Sequence, residues 1–184
     1  MQFRNSPQSY GGVPKFLHWL TVALVIVAWL LGTFGDEIPR GAARSTGLFI
    51  HIFAGFGVLV VLVARLLWRV FDRPPPPEIT PFGSSLEFLG KLTHAALYVL
   101  LAATPILGIL LQFARGDALP VFGLTEIASP WVRDRAFAHS LKEVHETLSN
   151  ILMVLASLHA LAAMLHHWVL RDRTLERMLP RIAR

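Results

Sequence analysis

The sequence of 184 residues contains no cysteine. It can therefore form no disulfide bond, no thiolate metal site and no cysteine-held iron–sulfur cluster, and it cannot attach a c-type haem covalently. Any metal or cofactor must be held by histidine, carboxylate or methionine side chains.

Charged residues are also scarce. They make up 16% of the chain, whereas 54% of the residues are hydrophobic, and soluble domains carry roughly 25% charged residues. Four windows contain no Asp, Glu, Lys or Arg and are 20, 20, 23 and 24 residues long. Because about 20 helical residues cross the hydrocarbon core of a bilayer, the sequence predicts four membrane-spanning helices. Their expected bounds are about 16–35, 46–71, 86–113 and 140–170.

Lysine and arginine are unevenly shared between the two ends of these spans, with 11 at one end and 6 at the other. The positive-inside rule places the richer end, with both termini, in the cytoplasm. The same rule explains the net charge of +5 and the pI near 10.4 without a nucleic-acid partner. The predicted fold class is an all-α integral membrane protein: an antiparallel four-helix transmembrane bundle forming one domain over residues 1–184.

Eight histidines occur in this apolar chain, and ionisable residues inside a membrane usually mark a functional site. His145 and His159 are 14 residues apart, which leaves them about 40° apart on one helix face and about 21 Å apart along the axis. His51 lies at the outer level and His18 at the inner level, and their depths differ by roughly 17 Å. The spacing therefore predicts two histidine pairs at two depths.

Two neutral imidazoles on one axis suit haem iron and close it to exogenous ligands, as electron transfer requires. Zinc prefers three or four clustered ligands, and the charge-free windows offer no carboxylate. We therefore predict two stacked haems with iron ligands His51 and His145 in one, and His18 and His159 in the other. For any single histidine, helix capping or a backbone hydrogen bond is the alternative.

Arg65 lies 14 residues after His51, hence on nearly the same face and one level deeper. We predict that it neutralises a propionate of the inner haem. The alternative, which the sequence leaves open, is that its side chain snorkels to the cytoplasmic interface.

Several segments resemble bacterial cytochrome b561, and within that family its superoxide oxidase branch. They are HETLSNILMVLASLHALAAMLHHW from His145 to Trp168, HW at His18, IHIFAG around His51, RGD…FGL in the third loop and the closing RDRTLERMLPR. The resemblance covers nearly the whole chain. It implies a four-helix protein of the bacterial inner membrane with two haem b groups, whose ligands match the two histidine pairs above. It further implies electron transfer from periplasmic superoxide to ubiquinone, with release of oxygen.

For that reaction we predict that Lys142 and His145 lie nearest the donor, because Lys142 precedes His145 by one helical turn. Other cations would complete a positive collar that attracts a small anion: Arg115, Arg133, Arg135 and His139. A solvated lysine is the alternative for Lys142. At the other end His166 is the main candidate for binding ubiquinone, with His94 and His167 as secondary candidates.

Three functions remain open on the sequence alone. The first is a superoxide:ubiquinone oxidoreductase acting without a partner. The second is a cytochrome b subunit that passes electrons between a periplasmic dehydrogenase or hydrogenase and quinone. The third is a histidine-lined transporter of metal ions or protons without haem.

Overall fold

The computed structural model describes residues 3–78 and 83–180. Four long helices form an antiparallel bundle, and all four are long and apolar enough to cross a membrane. Their bounds are α1 Gly12–Phe34, α2 Ala42–Phe71, α3 Gly83–Ala114 and α4 Arg135–Leu165. Helix α1 packs mainly on α2 and α3 mainly on α4, whereas α1 and α4 touch very little. The predicted all-α membrane bundle is confirmed.

Each helix begins three to five residues before the start given by its expected bounds. Helix α4 begins at Arg135 because the Asp134 carboxylate caps it, accepting a hydrogen bond from the backbone N–H of Phe137 at 3.0 Å. Helix α1 takes in the buried Lys15. A charged residue ends the part of a helix that lies in lipid but not the helix itself. The charge pattern therefore gives the membrane span and underestimates the length of the helix.

The buried apolar core is small and lies between α2, α3 and α4. Its main cluster consists of Val58, Leu62, Leu101 and Leu152. Many other large apolar side chains point outward, and Val60, Val63 and Leu67 on α2 are each more than half exposed. Such an outward apolar surface is what hydrocarbon, rather than water, accommodates.

A short β-hairpin follows α3 at one end of the bundle, which we call the hairpin end. Strand β1 (Leu119–Val121) pairs antiparallel with β2 (Thr125–Ile127). Three residues, Phe122 to Leu124, join the strands. The first two, Phe122 and Gly123, have φ of 50° and 71°, and the backbone N–H of Leu124 donates to the carbonyl oxygen of Val121 at 3.0 Å, which closes a tight turn. The ring of Phe122 lies 5.1 Å from that of Phe53 on α2, so the hairpin is fastened to the bundle.

At the opposite end, which we call the tail end, Arg177 joins three segments of the chain. Its guanidinium donates to the carbonyl oxygen of Pro76 at 2.9 Å and to that of Pro7 at 3.3 Å. It also lies 3.1 Å from the carboxylate of Glu78, and its side chain is only 7% exposed. The N-terminal tail, the loop after α2 and the segment after α4 therefore meet at one end. That this end faces the cytoplasm stays a prediction from the charge distribution.

Candidate cofactor-binding site

His51 on α2 and His145 on α4 face each other inside the bundle toward the hairpin end. Their ring centroids are 6.1 Å apart with the planes inclined at 72°. A metal–imidazole bond is about 2 Å long, so two imidazoles on opposite sides of one metal have ring centroids roughly 6 Å apart. The structure thus brings together the two residues that the sequence paired at the outer level, at a separation that fits one metal between them.

Both rings are held by backbone carbonyls of the other two helices. Nδ1 of His51 lies 2.8 Å from the carbonyl oxygen of Ala28 on α1, and Nδ1 of His145 lies 2.9 Å from that of Thr104 on α3. A carbonyl oxygen only accepts, so each Nδ1 carries the proton and each Nε2 keeps its lone pair. Outer hydrogen bonds of this kind fix the tautomer and orientation of metal-binding histidines. All four helices therefore build this site.

Glycines opposite the two rings let the helices approach them. A Cβ at Gly32 on α1 would lie 3.0 Å from Cε1 of His51, and a Cβ at Gly108 on α3 would lie 3.2 Å from Cε1 of His145. Both distances are shorter than ordinary van der Waals contact. Any larger residue at these positions would push an imidazole away from its partner.

The two rings line a cavity of about 780 Å³ between the four helices, within the range of roughly 300–1,000 Å³ usual for cofactor pockets. We call it the histidine cavity. Its deep wall is apolar, with Val25, Ile52, Val58 and Met153, whereas its mouth at the hairpin end carries charge: Asp36, Arg40, Arg44, Arg115, Lys142 and Glu146. An apolar macrocycle with two acidic substituents, such as haem, matches both the ligand pair and this division of the lining.

The histidines at the inner level make different contacts from those that the sequence predicts. The ring of His159 contacts that of His94 on α3, with centroids 5.1 Å apart. His18 is the predicted partner of His159. Within the part of the chain that the structure describes, the rings of these two residues make no contact, although the imidazoles interact electrostatically. Nδ1 of His18 is buried without a hydrogen-bond partner in the same residues, so this ring has an unused coordinating atom.

Arg65 points into the bundle at this inner level. Its guanidinium donates to the buried Thr21 hydroxyl of α1 at 3.3 Å and lies 5.4 Å from the ring centre of Tyr98 on α3. Its charge acts on both His18 and His159. A cation beside this histidine group is positioned to pair with an acidic substituent of a bound cofactor.

His166 lies just after α4, in a π-helical segment His166–Leu170 that ends at Arg171 with φ of 56°. Its Nδ1 lies 2.5 Å from a carboxylate oxygen of Asp172, and the backbone N–H of Thr174 donates to the other oxygen at 2.8 Å. Partial burial alone would raise the pKa of Asp172, but the hydrogen bonds from His166 and Thr174 outweigh it and lower that pKa. Asp172 is therefore an ionised partner that orients His166.

The cations predicted as a collar meet at the hairpin end in a pocket of about 220 Å³, which we call the basic pocket. It is lined by Arg115, Arg133, Arg135, Ala138, His139 and Lys142. Arg115 and Lys142 also line the histidine cavity, so these two residues form the wall between the pocket and the cavity. The structure thus places Lys142 between the collar and His145.

The sequence did not single out Gly32, Gly108 or Asp36. The two glycines lie on helices without a cavity histidine, so their role follows only from helix packing. In the sequence, Asp36 is only the charged residue that directly follows the first charge-free window. Across residues 3–78 and 83–180, no group of three or more histidine, cysteine, aspartate or glutamate side chains surrounds a point where a metal ion would bind.

Comparison with known proteins gives a consistent match over nearly the full length. A family model described as prokaryotic cytochrome b561 matches residues 9–181. The chain is 37% identical to the probable superoxide oxidase CybB of Yersinia pestis, over 95% of this chain and 97% of that protein. It is 33% identical to cytochrome b561 homolog 1 of Escherichia coli K12, over 90% and 94% of the two chains. It is 31% identical to cytochrome b561 homolog 2 of the same organism, over 97% and 95%.

We expect Gly108→Val to lower the haem content of the purified protein, because the added side chain displaces the His145 ring. The measurement is haem per chain from the absorbance of the pyridine haemochrome. Gly90→Val adds the same side chain to the same helix, where no atom of the described residues lies within 4 Å of the new Cβ, and it should keep its haem. Equal haem content in the two variants would contradict a site at His145.

Proposed function

The chain belongs to the prokaryotic cytochrome b561 family of haem-b membrane electron-transfer proteins, and on that premise we propose that it oxidises superoxide and reduces ubiquinone. Its four apolar helices make it a multi-pass integral membrane protein, and its bacterial relatives place it in the inner membrane. In the proposed reaction, two superoxide anions each lose one electron and leave as oxygen. The two electrons and two protons convert one ubiquinone to ubiquinol.

The observation that carries this proposal is the facing pair of His51 and His145 beside the basic pocket. When bound there, haem iron would carry one electron at a time without an open coordination position. The carbonyls of Ala28 and Thr104 keep both Nε2 atoms available as ligands. We propose that the inner haem is held by His18 and His159, and that Arg65 pairs with one of its propionates.

The donor side is suited to a small anion. Arg133 and Arg135 line the basic pocket at the surface, and Lys142 connects it to the histidine cavity. Clefts lined by charge of one sign raise the local concentration of an oppositely charged substrate and its association rate. Superoxide need only reach the wall formed by Arg115 and Lys142 to lie beside His145, so the residues proposed to act on the donor are Lys142 and His145.

The acceptor side requires a group that donates to a quinone carbonyl and delivers protons. His166 fits this role because Asp172 accepts from its Nδ1, which orients the ring and leaves Nε2 free to face a ligand. The carboxylate also stabilises the doubly protonated imidazole, whose Nε2–H is a donor. Single-turn π-helical segments such as His166–Leu170 occur frequently at functional sites.

We expect superoxide to reduce the purified wild-type protein without any partner, faster than it dismutates spontaneously, and to yield one ubiquinol per two superoxide anions consumed. The measurement is stopped-flow absorbance of the haem after a pulse of superoxide.

Lys142→Gln should slow the reduction of the haem by superoxide about two- to fivefold at low ionic strength, because it removes one attractive charge. Lys91→Gln, on the exposed surface of α3, serves as the charge-matched control.

If superoxide leaves the wild-type haem oxidised, the proposed donor is wrong. The cytochrome b subunit with a periplasmic dehydrogenase or hydrogenase partner then becomes the better assignment.

The partner of His159 can be tested by removing each candidate. We expect His18→Ala to lose one of two haems per chain and His94→Ala to keep both. The reason is that the His94–His159 separation of 5.1 Å is shorter than the roughly 6 Å needed for imidazoles on opposite sides of one metal. Haem per chain and the low-spin electron paramagnetic resonance signals distinguish the variants. The reverse result would make His94 the ligand.

We expect Asp172→Asn to slow ubiquinone reduction at least several-fold while superoxide still reduces the haem, because His166 loses its charged partner. Since the pKa of Asp172 is lowered in the folded protein, its stabilising charge is present above the ordinary carboxyl pKa. It is lost only as the pH falls through the lowered value. Asp172 should therefore stay ionised in the wild-type protein between about pH 5 and 8, and the slower quinone reduction of the variant should be present throughout this range. Unchanged quinone reduction in the variant would remove His166 as the quinone ligand.

A further inference from the structure

The mouth of the histidine cavity is crossed by ion pairs that involve Asp36. This residue lies in the short turn Gly35–Glu37 that ends α1. Its carboxylate binds the guanidinium of Arg44 on α2 and lies 3.6 Å from the ammonium group of Lys142 on α4. A single carboxylate thus connects three helices across the opening through which a donor would approach His145.

Lys142 is the cation on which these contacts converge. Besides Asp36, it has Glu146 at 3.4 Å, one turn further along α4. Glu146 belongs to the same helix, so its distance from Lys142 changes little. Asp36 reaches Lys142 from another helix, and its side chain is 70% exposed, so this contact can open without disturbing a helix.

We propose that Asp36 is a specificity-determining residue, which limits the attraction of the cavity mouth for small anions by occupying Lys142 and Arg44. The inference rests on the proposed function and deepens it. An anion that enters from the basic pocket meets Arg115 and Lys142 at the shared wall. There it must compete with the carboxylate of Asp36 for the same ammonium group.

Whether the loss of the Asp36 carboxylate raises or lowers the rate of haem reduction should depend on the charge of the reductant. A unit charge within a few ångströms of the approach path changes the local concentration of a singly charged molecule by about two- to fourfold at low salt. Removing the carboxylate should therefore accelerate reduction by an anion and slow reduction by a cation. Both effects should disappear at about 1 M salt, where the Debye length is about 3 Å.

The experiment compares wild-type holoprotein with Asp36→Asn in stopped-flow reduction at low and high ionic strength. Three reductants are used: superoxide, dithionite, which acts through its small radical anion, and the cationic hexaammineruthenium(II). We expect the variant to react about two- to fourfold faster with both singly charged anions. It should react about four- to sixteenfold slower with hexaammineruthenium(II), because this cation carries two positive charges. Asp36→Glu, which keeps the charge, should react like the wild type.

Asp117→Asn is the control for net charge, because it removes one carboxylate from the hairpin end outside the lining of the histidine cavity. Its rates should stay close to those of the wild type. The number of haems per chain and the absorption spectrum of the reduced protein establish that each variant carries its haem. Asp36→Ser provides a second neutral variant should Asp36→Asn fail to assemble.

Opposite shifts for the anionic and cationic reductants support the inference. They support it even if superoxide leaves the wild type oxidised, in which case only the proposed donor fails. Rates that do not change, that change in the same direction for all reductants, or that change equally in Asp117→Asn would overturn it.

Discussion

The structure depends on how the two nitrogens of His51 and of His145 are satisfied among apolar helices. A polar group in hydrocarbon without a hydrogen bond costs several kcal/mol, and water is scarce there. For His51 and His145 a backbone carbonyl of a neighbouring helix accepts from Nδ1. The second nitrogen, Nε2, is left for a ligand, so the same bonds that stabilise the bundle prepare its binding site. Because each carbonyl lies on a different helix from its histidine, the arrangement also fixes how α1 packs against α2 and α3 against α4.

This constraint explains why the bundle is formed by two close helix pairs with a cavity between them. Gly32 and Gly108 allow each pair to approach a histidine ring, whereas α1 and α4 hardly touch. The room between the pairs is the histidine cavity. Charge is confined to its mouth, where Arg44, Asp36 and Lys142 form a connected group. The apolar interior favours a macrocycle and the mouth governs which charged molecules reach it, so the two parts have separate roles.

Much of this arrangement follows from the sequence because lipid permits few alternatives. Charge-free windows give the four spans, and the 14-residue spacing of His145 and His159 places both on one face of α4. The facing of His51 and His145 agrees with depths counted from the nearest charges. The contact of His159 with His94 could not be obtained in this way, since it depends on the rotation of α3 about its own axis, which residue counting does not give. The early start of α4 depends on a local cap at Asp134, and the role of Asp36 depends on residues from three helices.

The Arg177 contacts at the tail end have a consequence for how the protein is made. The guanidinium binds the carbonyl of Pro7, 170 positions earlier in the chain, so this contact forms only after all four helices have been synthesised. The same guanidinium binds Pro76 in the loop between the second and third spans, so it joins three segments that lie far apart in the chain. Closure of the tail end therefore follows the synthesis of the whole bundle. Until it occurs, the segments that carry Pro7 and Pro76 lack this connection to each other.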